Sequence, residues 1–224
     1  MAYRRTENVV RRLTARKDAI VAAAFGVASE GGMAAIQIAA IAKRADIAAG
    51  TVYRYFPGKT ELIGALIASI SEREVAAVRR AADAAPGPLS ALAAAVATFA
   101  ARALRSRRLT YALIAEPVDA DVDAIRIEFR KSCVDEFAAR IQTAIAGGHL
   151  PEQDAALAAP ALMGALLEGL IGPLAPDVAG DSAKAHAAVQ MLTLLALRAL
   201  GVVDAHARGI VVQTIISENG ESAA

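Results

Sequence analysis

Between Ala49 and Lys59 the chain strings together Thr51, Tyr53, Arg54, Tyr55 and Lys59, with no acid among them. An arginine fork can grip guanine or a phosphate, and threonine and tyrosine hydroxyls can donate to phosphate oxygens. Ala49 and Gly50 just ahead are small enough to let backbone approach a bulky partner. Lys59 stands where a helical pattern begins, and free backbone N–H groups there also favour phosphate. This is the chemistry of holding a polyanion.

Charge along the chain agrees. The 224 residues carry 24 basic and 23 acidic side chains, which hides an asymmetry. Residues 1–60 hold ten Lys/Arg against four Asp/Glu, a net +6, and the remainder holds 14 against 19, a net −5. A basic head on an acidic body suits a polyanionic partner, although a basic face that is merely solvated is the plain alternative. The arm with Arg4, Arg5, Arg11 and Arg12 has the same two readings: a solvated tail, or a minor-groove or backbone contact.

Short helices must position these groups. Hydrophobic types reach 56% while aromatics are only 4%, and alanine-rich apolar content predicts an all-α fold of about nine helices. Thr14 is the expected N-cap of a first helix ending near Ser29, with Ile20, Ala23, Ala24 and Val27 on one face and Gly31-Gly32 stopping it. A second helix is expected over 38–45 and a third over 49–55. Asp46-Ile47-Ala48 is the tight connection, and Pro57-Gly58 the break before a fourth helix over 59–82. Two short helices joined by three residues, the second polar and aromatic outside, predict a helix-turn-helix. Val52 and Phe56 are its anchors.

The run IAAIAKRADIAAGTVYRYFPGKTELIGALI resembles the DNA-binding half of TetR-family transcriptional regulators, of TetR/AcrR type. The likeness covers roughly residues 14–66. Its specific part is Gly50-Thr51-Val52-Tyr53-Arg54-Tyr55-Phe56 followed by Lys59 and Leu62. It implies DNA contacts from Gln37, Ala49, Gly50, Thr51, Tyr53, Arg54, Tyr55 and Lys59. Three positions depart from the family pattern. Asp46 replaces a turn glycine, Ala48 a capping Ser/Thr, and Ala49 a common lysine.

Ala84–Pro88 is read as a linker, followed by helices over 90–105, 109–115, 121–146, 153–174 and 181–200. Expected domains are 1–60 for DNA binding and 61–216 for effector binding and dimerisation, with 217–224 a disordered tail. The resemblance implies both a small-molecule effector and a homodimer. Candidate pocket residues are Phe99, Tyr111, Ile114, Arg126, Phe129, Arg130, Cys133 and Met163. Arg126 and Arg130, one turn apart, would either hold an anionic group or pair with surface acids. Candidate interface residues are Ala158, Leu162, Ala165, Gly169, Leu192, Leu195 and Ala199, which would build a four-helix contact unless both helices are simply interior.

Other chemistries find little support. Cys133 alone forms no internal disulfide and reads as a buried thiol or a redox sensor. His149, Asp154 and His186 lack metal-ligand spacing. No phosphate-cradling glycine loop and no nucleophile motif occurs. No catalytic residue, metal or cofactor is expected, nor a membrane span or targeting segment, which places the chain in the cytoplasm. The expected function is a sequence-specific DNA-binding regulator, not an enzyme. It would be a repressor released from a palindromic operator by a small-molecule effector. The rival is an all-helical ligand-binding or enzymatic protein without specific DNA binding.

Overall fold

The computed structural model describes residues 2–214, and the expected tail over 217–224 lies outside them. Among the described residues there are ten α-helices and no strand: α1 (Ala2–Gly31), α2 (Ile38–Arg44), α3 (Ala49–Tyr55), α4 (Lys59–Asp83), α5 (Pro88–Arg105), α6 (Arg107–Ile114), α7 (Ala120–Ala146), α8 (Ala155–Leu170), α9 (Ser182–Ala199) and α10 (Asp204–Gln213). A 3-10 turn, Met33–Ala35, joins α1 to α2. The all-α expectation holds, with ten helices in place of about nine.

Contacts divide the chain into two units. The first takes the residues up to Ile70 together with Tyr111–Phe129, and the second takes Ser71–Thr110 and the described residues from Arg130 onward. The division falls inside α4, so Ala84–Pro88 lies within the second unit.

In the first unit α1, α2 and α3 pack around Ile20, Ala24, Ile36, Ile41, Val52 and Phe56, all buried. The first half of α4 adds Leu62, Ile63, Leu66, Ile67 and Ile70. Gly32, at φ 74, ends α1 by donating its N–H to the Ala28 carbonyl at 2.9 Å. Thr14 is not an N-cap, because α1 runs straight through it. No proline and no glycine before Gly26 interrupts the Ala-, Arg- and Leu-rich run, and continued propensity outweighs a local capping signal.

In the second unit α5 is central. Leu92, Ala93, Ala95, Val96 and Ala100 are fully buried, with α8, α9 and α10 packed on it. Phe99 meets Phe137 of α7 edge to face at 5.8 Å. Glu74 grips Arg102 with two bonds of 2.5 and 2.8 Å, and Glu136 accepts from both Arg79 and Arg140. α8 stops at Leu170 instead of Leu174, four residues before its expected end. Helix α10, beyond the last helix that the sequence pattern predicts, buries Ala207, Ile210 and Val211. Among the described residues no helix is long and apolar enough to cross a membrane.

Candidate nucleic-acid interface

The second and third helices have the expected lengths to within a residue. Asp46 between them sits at φ 51, the one positive-φ non-glycine among the described residues. Its short polar side chain tolerates that left-handed geometry better than most. The Ile47 N–H returns to the Ala42 carbonyl at 3.0 Å and closes the turn. Ala48 has the extended φ, ψ of an N-cap (−69°, 144°) but contributes no side-chain bond. Val52 and Phe56 point α3 into the core, and the other three residues of its first turn are left outside or half outside.

The opposite face of α3 is open. Ala49 and Gly50 are exposed, and a Cβ placed on Gly50 would meet no atom within 4 Å. Thr51 and Tyr55 are half-buried, Tyr53 is 53% exposed, and Arg54 is exposed with its guanidinium carbon 5.5 Å from the Tyr55 ring centroid. Lys59 is the exposed first residue of α4. Gln37 is exposed as the N-cap residue of α2, and its amide donates weakly to Ala34 at 3.4 Å. The expected DNA-contact residues thus cluster on α3 and on the starts of α2 and α4, with exposed or half-exposed side chains. Lys17 of α1 lies 5.6 Å from the centroid of the Phe56 ring, bringing α1's basic side to the end of α3.

Two supports lie beyond what the sequence pattern predicts. Arg44 closes on Glu30 at 2.8 Å, tying α2 to α1, and a Cβ on Gly26 would run into its guanidinium. Only glycine's place in the middle of α1 hints at this close approach. Glu116, in the loop after α6, accepts the N–H groups of Met33 at 3.0 Å and Ala34 at 3.4 Å. It caps the 3-10 turn that leads into α2. Its backbone carbonyl in turn accepts from Arg126, which also donates to the Ala112 carbonyl.

Arg126 therefore takes a different place from the expected anion fork. It is 2% exposed, and its two terminal nitrogens are engaged by carbonyls at the end of α6. The other pocket candidates divide between the units: Tyr111, Ile114 and Phe129 in the first, Phe99, Arg130, Cys133 and Met163 in the second. Phe99, Phe129, Cys133 and Met163 are buried, and Tyr111, Ile114 and Arg130 half-buried. Burial, reinforced by the Glu74 charge, pushes the Cys133 thiol up to about 12. Six of the seven interface candidates, all but Gly169, line an apolar groove along α8 and α9. Gly169 contacts Leu192 across the same pair of helices. Leu195 is 52% exposed on that groove.

Residues 20–66 match the model of the bacterial regulatory proteins of the tetR family. The HTH-type transcriptional repressor KstR of Mycolicibacterium smegmatis is 38% identical over 109 residues, covering 49% of this chain and 53% of that protein. KstR of Mycobacterium tuberculosis is 34% identical over 140 residues, 62% of either chain. The chain thus spans about half to three-fifths of these curated relatives. Among solved structures, FadR of Bacillus halodurans superposes with a TM-score of 0.70 at 22% identity, over 84% of this chain and 97% of that one. FadR of Bacillus subtilis in complex with stearoyl-CoA gives 0.66 at 20%, over 78% and 96%. RolR in complex with resorcinol gives 0.67 at 19%, over 91% and 96%. These likenesses establish the fold.

Proposed function

We propose that this chain, which belongs to the tetR family of bacterial regulatory proteins, is a homodimeric repressor that binds a palindromic DNA operator and is released by a small-molecule effector. The observation that carries the reading is the open face of α3. Val52 and Phe56 anchor the helix, while Thr51, Tyr53 and Arg54 stand outside it and Lys59 stands at the neighbouring helix start. Small residues at the start of α3 permit close approach to a major groove, Arg54 can read a base edge, and Lys59 and the tyrosine hydroxyls hold phosphates. Repressor function is supported by the KstR relatives. An effector is supported by the small molecules held in the RolR and FadR structures.

A second copy of the chain is the proposed occupant of the α8–α9 groove. Its lining is apolar, with Leu192, Leu195 and Ala199 on one side and Ala158, Leu162 and Ala165 on the other. Two-fold pairing of this surface would set two recognition helices on successive major grooves, so half-sites should lie one or more helical turns apart.

The test is selection of bound fragments from genomic DNA, followed by footprinting and titration at several salt concentrations. Arg54→Ala should weaken binding to the selected site by about 1–3 kcal/mol and relax preference at one position. Lys59→Ala should weaken all sequences alike and lower the salt slope by about one. Equal losses on selected and random DNA for Arg54→Ala would remove its base-reading role. Protection of a single asymmetric half-site by a monomer would sink the dimeric reading.

A further inference from the structure

The part of α1 ahead of Ile20 is not packed into the head. The helix has 30 residues and is about 45 Å long, yet its first buried residue is Ile20, and every described side chain from Glu7 to Ala19 is exposed. The stretch from Glu7 to Ala19 alone forms an overhang of roughly 20 Å. At about 100° per residue, Arg11, Arg12 and Arg16 fall within one arc, with Glu7 and Asp18 outside it. Arg11 donates to the Asn8 side chain at 2.9 Å, which leaves its charge uncompensated. Lys17, at the root of the overhang, sits beside Phe56, between α3 and Lys59. The arginine face therefore leaves the head on the side where the recognition residues end.

We propose that this overhang is a second DNA-binding element, a preformed helix whose Arg11, Arg12 and Arg16 bind the phosphate backbone flanking the half-site. It rests on the regulator reading above and adds to it an element outside the helix-turn-helix. Charge complementarity selects the occupant. Three arginines on one arc match the closely spaced phosphates of a duplex, whereas the exposed apolar residues Val9, Val10 and Leu13 form only a short strip for a lipid surface. Because the helix is already formed, binding orders side chains only. The contact carries no sequence information, so it raises affinity without changing which site is chosen.

The experiment compares the full chain with the Arg11→Ala/Arg12→Ala/Arg16→Ala variant. Alanine preserves the helix, and circular dichroism verifies that. Two probes are used, a genomic fragment selected by the wild type and a random-sequence duplex. The variant is expected to bind both more weakly by the same factor. Its slope of log affinity against log salt should fall by about 0.9 for each phosphate it no longer neutralises, about 2.7 if all three arginines engage. Hydroxyl-radical protection flanking the half-sites should disappear while protection within them stays. An unchanged slope and unchanged flanking protection in a variant of wild-type helicity would overturn the proposal. So would loss of binding to phosphatidylglycerol vesicles with the DNA slope intact. A wild type that fails to prefer the selected fragment would defeat the regulator reading instead, and the random-duplex slopes would still judge the overhang.

Discussion

Replacing Glu116 tests how the recognition helices are held. Its carboxylate is the acceptor for the Met33 and Ala34 N–H groups, which have no helical carbonyl available at the start of a 3-10 turn. A hydrogen bond to a charged group contributes about 1.5–3 kcal/mol when sheltered. Here one bond is long at 3.4 Å and the site is partly exposed, so the loss should resemble that of an ordinary cap, about 1–2 kcal/mol in all. Glu116→Ala should therefore lower stability by that amount. Glu116→Gln, which keeps one amide oxygen as acceptor, should lose roughly half as much. Amide hydrogen exchange followed residue by residue is the decisive assay. The Met33 and Ala34 amides should exchange about 5–30 times faster in Glu116→Ala, the factor that 1–2 kcal/mol represents. Unchanged exchange at these two amides, in a variant otherwise folded as wild type, would refute the capping role.

Three further outcomes are expected. Ala48→Ser supplies the missing hydroxyl at a residue already in N-cap geometry and should raise stability by about 1 kcal/mol in urea denaturation. Leu195→Glu puts a charge on the α8–α9 groove and, by repulsion across the two-fold, should shift sedimentation from dimer to monomer; a dimer of unchanged strength would move the interface elsewhere. The folded Cys133 thiol, pushed up to about 12, should resist alkylation at pH 8 until the chain is denatured. Its raised value also has a sign: stability is fully present below the unfolded value near 9 and declines as pH rises from there towards 12. Rapid alkylation of the native protein at pH 8 would contradict that burial.

The helix-turn-helix was legible because its signals are local. Apolar residues four apart, an Asp that tolerates φ 51 and a Pro57-Gly58 stop define seven-residue helices with little freedom in register. Legibility failed where distance or competition entered. Thr14 has the chemistry of a cap, but nothing upstream breaks the helix. Ile125 and Ile145 belong to a run spaced by four, which drifts about 40° per step on a helix of 3.6 residues per turn. The middle of the run, Phe129, Cys133, Phe137 and Ile141, is buried, while Ile125 and Ile145 at its ends are only half-buried. Helix α10 is short, and it is held by packing of Ala207, Ile210 and Val211 that periodicity alone does not bring out. Glu116 and Met33 are 83 positions apart, so no local pattern could pair them. Arg126 looked like a surface or ligand-facing charge because sequence cannot reveal which carbonyls at the end of α6 need a donor.

These misses bear on the proposed release by an effector. The first unit is discontinuous: residues 111–129 return to the helix-turn-helix half, with Glu116 on the 3-10 turn and Ile125 3.2 Å from where a Cβ on Gly64 of α4 would stand. Helices α4, α6 and α7 each continue across the division into the second unit. A change in those helices has therefore two covalently continuous routes to the recognition head, one along α4 and one through the Glu116 loop. A ligand can shift such an equilibrium only by its differential affinity for the two states. Typical coupling between sites is about 1–3 kcal/mol. The Glu116 cap, at about 1–2 kcal/mol, is of that order. Making it in the DNA-binding state and breaking it in the released one would by itself supply coupling of the required size, without unfolding any helix.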